Sequence, residues 1–303
     1  MKCLSWRMEL RQLKYFAKAA ELQNFTEAAA ALFITQSTLS QQIKQLEDEL
    51  QLPLFDRIAK RVRLTEAGKS FLPYALKTLK DSEDGRDILR DLMNLKTGTL
   101  SVGVTYGLSN LLTKAVGEFN KSHPQIKLMI SFGTTQELLG NLETGNLDFM
   151  LSFYDEPDNE RIITDHLFFA QLSLIAHSNH PVTAKKNITL QDLPGLPLIL
   201  PSPGYSIRSY LNLLMKKNDL SPSLSIEVND IHTLLHFVQT SRWVTVLMNS
   251  TIRHHPELKA LPIIGADMQR QATIAWPKNV YRKKSASSLA ELLIMHSADY
   301  QTA

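Results

Sequence analysis

The sequence predicts an α/β protein in which an N-terminal all-α winged helix-turn-helix domain and a long linker helix precede a larger α/β region. Three features predict this class. An amphipathic helix pattern with a polar face covers residues 37–50, a longer helical pattern covers residues 66–96, and strand-like and helix-like segments alternate after residue 97. The chain has 303 residues, 44% hydrophobic and 21% charged, which is enough for substantial cores.

The N-terminal region begins with helical patterns in close succession. An amphipathic pattern runs from Leu10 to Leu22, and Thr26 is the predicted N-cap of a short alanine-rich helix. A three- to four-residue turn at 34–36 then leads to the polar helix, as in a helix-turn-helix unit. The apolar stripe of that helix faces a core and consists of Leu39, Ile43, Leu46 and Leu50.

The opposite face of the polar helix carries groups that both donate and accept hydrogen bonds, which suits the edges of bases in a major groove. Two short alternating runs, 54–57 and 61–64, follow Pro53 and predict a β-wing whose cations meet phosphates. The predicted DNA-contacting residues are Gln36, Ser37, Thr38, Ser40, Gln41 and Lys44 of the helix and Arg57, Lys60, Arg61 and Arg63 of the wing.

This region resembles the DNA-binding domain of LysR-type transcriptional regulators over roughly sixty contiguous positions, with helix, turn and wing in register. Two positions depart from the usual pattern. Gln41 stands where many members have arginine, and Ala59 occupies a wing tip that is often glycine or asparagine. The matching residues are Phe25, Ala28, Ala29, Leu32, Thr35, Gln36, Ser37, Leu39, Ser40, Ile43, Leu46, Glu47, Leu54, Phe55, Arg57, Leu64, Thr65, Ala67 and Gly68.

The linker pattern is too long for a small core to cover. Its residues Leu72, Leu79 and Leu92 have no obvious partner within one chain, so we expect the helix to pair with its copy in a homodimer or homotetramer, as the resemblance implies. The alternative is that the helix simply packs on the domain that follows. A two-fold dimer should bind double-stranded DNA at an inverted-repeat operator. RNA polymerase is a further partner that the resemblance implies.

Segments after residue 97 alternate between strand and helix, which predicts parallel βαβ units. The resemblance implies that they form a two-lobed, periplasmic-binding-protein-like effector domain. The predicted divisions are 8–66 for the DNA-binding domain, 67–96 for the linker and 97–303 for the effector domain. Within the effector domain, lobe 1 is expected at about 97–167 and 269–303, and lobe 2 at about 168–268.

Ligands of open parallel sheets bind beyond the carboxyl ends of the strands, near helix N-termini. Hydroxyls and amides dominate those loops here, and we expect a small-molecule effector with a carboxylate or similar anionic group. Thr134 with Glu137 also fits a capping box, so Thr134 has a purely structural alternative. The predicted effector-binding residues are Tyr106, Ser109, Thr134, Thr135, Ser202, Tyr205 and Asn229.

Several other chemistries lack support in the sequence. His232 and His236 have the i, i+4 spacing of a metal pair, and His254 and His255 follow, but no glutamate or cysteine completes a ligand set, so surface or core histidines are expected. No nucleophile elbow or phosphate-binding loop motif occurs, and no metal, cofactor or catalytic residue is predicted. The single cysteine, Cys3, excludes an intrachain disulfide.

Net charge and hydropathy bound the remaining possibilities. The net charge is only +3, so a nucleic-acid footprint must be local. No stretch resembles a membrane span or a signal peptide, which predicts a cytoplasmic protein. Two rival functions stay open at this point: a binding-protein-fold enzyme with an incidental DNA module, and a solute-binding transport component. The first would need a catalytic group in the cleft and the second an export signal.

Overall fold

The computed structural model describes residues 8–58, 61–93, 97–153, 159–221, 224–240, 242–265 and 267–301. The chain divides into two compact units, Met1–Leu89 and Arg90–Ala303. The first unit contains the predicted helices and hairpin, and the second is the α/β region. Within the described residues, no helix has both the length and the apolar character that a membrane crossing needs.

The first unit has the predicted order of helix, helix-turn-helix, wing and long helix. The bounds are α1 Leu10–Leu22, α2 Phe25–Ala31, α3 Gln36–Leu50, β1 Phe55–Ile58, β2 Arg61–Leu64 and α4 Glu66–Leu92. Strands β1 and β2 pair antiparallel, with Phe55 opposite Leu64.

The predicted N-cap of α2 was wrong by two residues. Asn24 occupies the cap, and its Oδ1 accepts hydrogen bonds from the backbone N–H groups of Thr26 and Glu27. Because Phe25 is buried in the core of the unit, the helix has to begin early enough to include it. Asparagine caps a helix as well as threonine does, so the cap residue was displaced without being lost.

Aromatic packing joins the helices to the wing. The ring of Phe55 lies 5.4 Å from that of Phe16 and 5.3 Å from that of Phe25. One carboxylate oxygen of Glu47, on α3, accepts hydrogen bonds from the backbone N–H groups of Leu54 and Phe55, at 2.7 and 3.1 Å. The wing is therefore fixed to the polar helix at its first strand.

The residues at the start of helix α4 each have a structural role. Thr65 Oγ1 donates to the carbonyl oxygen of Pro53 at 2.7 Å and accepts from the N–H of Gly68 at 3.0 Å. A Cβ at position 68 would lie 2.2 Å from the carbonyl oxygen of Leu54. Since real Cβ atoms do not approach a backbone oxygen so closely, only glycine allows this crossing.

The expectation that Leu72 and Leu79 lack partners within one chain was wrong. Both are partly buried and pack against the core of the first unit. The side chain of Leu92 lies outside the described residues. Farther along α4, Ile88 and Leu89 are 36% and 60% exposed, so two adjacent aliphatic side chains are exposed near its C-terminal end, in addition to Tyr74 nearer its start, which is 71% exposed.

The second unit is an α/β unit with the strands β3 Gly98–Val104, β4 Ile126–Phe132, β5 Phe149–Ser152, β6 Ile162–His177, β7 Leu198–Pro201, β8 Leu224–Val228, β9 Thr245–Met248, β10 Leu258–Pro262 and β11 Gln269–Pro277. Its mixed sheet has the strand order β10-β6-β11-β5-β3-β4, with β9 also paired to β6, and β7 and β8 form a separate pair. Its helices are α5 Ser109–Ser122, α6 Thr135–Glu143, α7 Ser206–Lys217, α8 Ile231–Gln239 and α9 Lys284–Gln301.

Parallel pairing occurs in each half of this unit, as predicted: β3 with β4 and β5, and β7 with β8. The two halves are joined by an antiparallel pair that the sequence did not predict. Strand β6 pairs with β11 along residues 162–171 and with β9 and β10 along residues 172–177. Its register with β11 shifts between Ala272 and Thr273, where β6 contains one extra residue. One continuous strand therefore belongs to both lobes.

The close approach at Gly68 gives a prediction about stability. The Gly68→Ala variant should lose about 1–3 kcal/mol, since either the hairpin or the helix must move to make room for the methyl group. The same exchange at Gly140, midway along α6 and with nothing within 4 Å of its Cβ position, is the matched control. It should gain roughly 0.5–1 kcal/mol, because alanine favours the helix. Calorimetric melting of both full-length variants measures the difference, and a Gly68→Ala protein as stable as the parent would contradict the packing described.

Candidate functional site

The first half of α3 presents hydrogen-bonding groups that are exposed and held in place. The side chain of Thr35 caps the helix, accepting from the N–H of Thr38 at 3.2 Å. The hydroxyls of Ser37 and Thr38 lie 2.9 and 2.8 Å from Thr35 Oγ1. Gln36 Nε2 donates to Ser40 Oγ at 2.8 Å. Ser40 is half-buried, and the exposed members of this face are Gln36, Ser37, Thr38, Gln41 and Lys44.

The structure places the predicted wing residues on the hairpin as far as it describes them. Arg63 is exposed on β2, directly across from Asp56. Arg57 lies on β1 and Arg61 on β2, but their side chains, and Lys60 entirely, lie outside the described residues. The polar helix and the described cation of the wing are thus both available on the surface of the first unit.

In the second unit, the loops that follow several strands meet at one cleft, as the rule for open sheets predicts. Thr105 follows β3, Thr135 comes shortly after β4, and Phe153 follows β5, all on one lobe. From the other lobe, the loop after β7 brings Tyr205, and Ile231 opens α8. The two lobes also touch beside the cleft, where Ser250 Oγ donates to the carbonyl oxygen of Gly107 at 3.1 Å.

These loops enclose a small cavity of about 40 Å³. Most of its wall is apolar, with two tyrosines and a few hydroxyls as the polar groups. The lining residues are Thr105, Tyr106, Gly107, Thr135, Phe153, Tyr205, Ser206, Ile207, Ile231, Leu247, Met248 and Thr251.

Two hydroxyls of this cavity have no hydrogen-bond partner among the described residues. They are the Oγ1 atoms of Thr105 and Thr135, and both atoms are buried. Thr105 is only 8% exposed as a residue. A buried hydroxyl without a hydrogen-bond partner costs free energy. Packing alone would therefore favour an apolar side chain at these two positions. A bound molecule with a donor or acceptor atom would remove this cost.

The structure brings together three of the seven predicted effector-binding residues, Tyr106, Thr135 and Tyr205. The other four lie outside the cavity lining and hold the loops instead. Ser109 Oγ donates to the carbonyl oxygen of Tyr106, and the N–H of Ser202 donates to that of Val228. Asn229 accepts from the hydroxyl of Tyr205 through its carbonyl oxygen at 2.7 Å. Thr134 caps α6, and its capping box with Glu137 is confirmed.

Sequence reasoning missed Thr105, the most informative residue of the cavity. It directly follows the strand run ending at Val104, and a threonine there is as common in a strand as in a site. The available signal was its position directly after a central parallel strand. The predicted loop began one residue later, at Tyr106, and so did not include it.

The histidine pair of α8 is close but has few neighbours that could bind a metal. The Nε2 atoms of His232 and His236 lie 3.1 Å apart, and both side chains are exposed. Within the part of the chain that the structure describes, no three His, Cys, Asp or Glu residues form a group that could hold a metal ion.

Comparison with known proteins settles the family. The model described as bacterial regulatory helix-turn-helix protein, lysR family, matches residues 10–69, and the model described as LysR substrate binding domain matches residues 94–298. The chain belongs to the LysR-type family of transcriptional regulators. It is therefore a DNA-binding transcriptional regulator with an effector-binding domain, and its family is not one of enzymes.

Individual relatives of this LysR-type regulator extend over almost the whole chain. YybE of Bacillus subtilis (strain 168), an uncharacterized HTH-type transcriptional regulator, is 28% identical and covers 96% of this chain and 100% of its own. YwqM of the same organism is 31% identical over 81% of this chain and 84% of its own. The structure of a full-length OxyR variant from Pseudomonas aeruginosa has a TM-score of 0.73 at 27% identity and covers 95% of both chains. The predicted fold class is thus confirmed.

The unpartnered hydroxyls give a prediction about stability, and a second one about ligand response that separates Thr105 from a threonine outside the cavity. The Thr105→Val variant should be more stable than the parent by about 1 kcal/mol, because a methyl group needs no hydrogen bond in the same space. For a unit of this size that is roughly 2–4 °C in melting temperature. Thr245, which is 0% exposed and also carries an unpartnered hydroxyl among the described residues, does not line the cavity and is the matched control.

Both valine variants should therefore melt higher than the parent. Only Thr105→Val should lose the response of operator binding to cell extract fractions that contain small molecules. A Thr105→Val protein that melts lower than the parent would show that its hydroxyl already has a partner.

Proposed function

We propose that this LysR-type regulator binds an inverted-repeat operator as a homodimer or homotetramer in the cytoplasm, and that a small molecule bound between its two lobes controls it. The observation that carries the sensing role is the pair of buried hydroxyls, those of Thr105 and Thr135, that lack a described partner in one cavity. RNA polymerase is the partner through which such a regulator would act on transcription.

The proposed effector site is smaller than the sequence suggested. Its direct contacts are Thr105, Tyr106, Thr135 and Tyr205, which surround the cavity from both lobes. Ser109, Thr134, Ser202 and Asn229 support the loops that carry these contacts. A ligand that hydrogen-bonds to both threonines and rests on a tyrosine ring would connect the lobes and shift the balance between two lobe arrangements.

The proposed domain division follows the sequence: 8–66 for DNA binding, 67–96 for the linker, and 97–303 for the effector domain. Lobe 1 comprises about 97–167 and 269–303, and lobe 2 about 168–268. Strand β6 leaves β11 for β9 and β10 after Gln171, which supports a lobe boundary within this strand.

For DNA, the proposed roles divide between helix and wing. Gln36, Ser37, Thr38, Ser40, Gln41 and Lys44 would face the groove, and Arg57, Lys60, Arg61 and Arg63 would meet phosphates. Support comes from the exposure of the described members of this set, apart from the half-buried Ser40, and from the hydrogen bonds that hold the hydroxyls and Gln36 in place.

A substitution at Gln36 should change which base pairs are preferred, because its amide can replace the hydrogen bond to Ser40 with one to a base edge. Gln45 is the matched control: it is the same residue type, exposed on the same helix, and about 13 Å farther from the helix N-terminus at 1.5 Å per residue. Binding-site selection on Gln36→Ala should return an altered motif, and on Gln45→Ala the parental one. An unchanged motif for Gln36→Ala would place another element in the groove.

The Arg63→Ala variant of the wing should weaken binding to all DNA sequences alike and reduce the slope of the salt dependence of binding by roughly one.

Self-association is proposed for the C-terminal part of α4. The structure leaves Ile88 and Leu89 exposed there, and exposed apolar neighbours on a long helix favour a partner helix. Leu72 and Leu79 are no longer candidates for the centre of this contact, because they pack within their own unit.

The double variant Ile88→Ser, Leu89→Ser should dissociate at a higher protein concentration than the parent, because it removes the apolar surface that dimerisation would bury. Sedimentation velocity over a dilution series measures this. The control is Leu213→Ser, which changes an exposed leucine of α7 and should leave the association constant unchanged. If the double variant associates as tightly as the parent, the dimer contact lies outside the C-terminal part of α4.

A further inference from the structure

The turn between α2 and α3 contains a residue in a conformation that most side chains avoid. Phe33 has a φ of 56°, in the left-handed region. Its N–H donates to the carbonyl oxygen of Ala30 at 3.1 Å, and the N–H of Ile34 donates to that of Ala29 at 3.0 Å. These two hydrogen bonds form a Schellman motif, in which the position of Phe33 is usually glycine and sometimes asparagine. A phenylalanine there is strained, because its Cβ crowds the carbonyl oxygen that follows.

The side chain of Phe33 is as unusual as its backbone. It is 95% exposed, the highest fraction of any large hydrophobic side chain that the structure describes. The hydrophobic position that usually accompanies a Schellman motif is taken by Ile34, which packs against the core of the first unit. Neither the turn nor the core therefore requires an aromatic ring at position 33. The other described non-glycine residues with positive φ are all polar: Gln23, Gln51, Asp219, Asp267 and Asn279.

Phe33 lies next to the helix that is proposed to enter the major groove. It precedes Gln36, the first residue of α3, by three positions, so the Cα atoms of the two residues are at most about 11 Å apart. The sequence around it carries no negative charge, since no Asp or Glu occurs between Glu27 and Glu47, and Lys44 is the single charged residue of that stretch. Such a surface does not repel the phosphates of DNA. The exposed ring is therefore beside the duplex once α3 lies in the groove.

We propose that Phe33 contacts the 5-methyl group of a thymine in the major groove, and that it thereby adds a base preference next to the base pairs that Gln36 reads. The phenyl ring has no hydrogen-bonding group, and the thymine methyl is the apolar feature among the base edges of that groove. The contact buries part of the exposed ring, which offsets the strain at position 33 in the bound state. The proposal rests on the proposed entry of α3 into the major groove.

The first measurement separates stability from DNA binding in the full-length protein. Phe33→Asn and Phe33→Gly should melt at or above the temperature of the parent, because both residues tolerate the left-handed region. Both should nevertheless bind the operator selected by the parent more weakly, by roughly fourfold for each half-site, which is the value for one buried methyl group. The slope of the salt dependence of binding should stay the same, since no phosphate contact is removed.

The second measurement identifies the methyl group. Each thymine of the operator selected by the parent is replaced in turn by deoxyuridine, which lacks only the 5-methyl group. At one thymine of each half-site, this exchange should weaken binding by the parent roughly fourfold, and it should not weaken binding by Phe33→Asn. Thymines that other residues contact should give the same loss with both proteins.

The matched control is Leu52→Asn. Leu52 is a 56% exposed hydrophobic residue that follows the left-handed Gln51 at the opposite end of α3. The helix has 15 residues, so this end lies about 20 Å from Gln36 at 1.5 Å per residue. Leu52→Asn should therefore keep the affinity of the parent and its response to every deoxyuridine exchange.

Three results would overturn the proposal. If both Phe33 variants bind the operator as tightly as the parent, the ring does not contact DNA. If they bind more weakly but no deoxyuridine exchange depends on Phe33, the ring contacts the sugar-phosphate backbone and reads no base. If both variants melt well below the parent, the ring supports the fold and the argument from strain fails.

Binding-site selection on Gln36→Ala distinguishes this failure from that of the proposed groove placement. An altered motif for Gln36→Ala, together with any of the three results above, leaves α3 in the groove and removes only the thymine contact. The parental motif for Gln36→Ala removes the groove placement and the thymine contact with it.

Discussion

Strand β6 is the constraint on which the effector unit depends. Its 16 residues pair with β11 on one side of residue 172 and with β9 and β10 on the other, so a single strand has to satisfy two lobes. Backbone hydrogen bonds of this kind resist breaking, because each unpaired group in the interior would cost free energy. The lobes can therefore tilt about this ribbon, but they cannot separate.

The composition of the cleft follows from this arrangement of the two lobes. Loops from both lobes must meet where their strands end, and the free N–H groups of the helices that follow must be satisfied in a confined space. Glu137 and Asp230 satisfy two of these helices from within the chain. The threonines at 105 and 135 keep buried hydroxyls without a described partner. Buried hydroxyls without partners reduce stability, and residues that reduce stability in this way are expected at functional sites.

Much of the N-terminal unit could be predicted because its determinants are local. A helical apolar period, a short turn and a basic hairpin each lie within a few residues, and α3 began within one residue of the predicted position. The cap of α2 was displaced to Asn24 because Phe25 must be buried, which is a tertiary demand. Likewise, Leu72 and Leu79 appeared unpartnered because their core lies in residues far away in sequence.

The alternation of strands and helices in the effector unit was predicted, but the antiparallel pairing that joins its two lobes was not. Parallel βαβ segments are local enough to recognise, but the first half of β6 carries Thr164, Asp165 and His166, which do not read as a strand without knowledge of β11. Thr105 was passed over since its environment, a buried site with no described partner, exists only after both lobes come together.

The most direct test is a high-resolution crystal structure of the full-length protein. The account predicts that Thr105 Oγ1 and Thr135 Oγ1 face the cavity between the lobes and have no hydrogen-bond partner within the protein. A structure in which both hydroxyls donate to protein acceptors would contradict it.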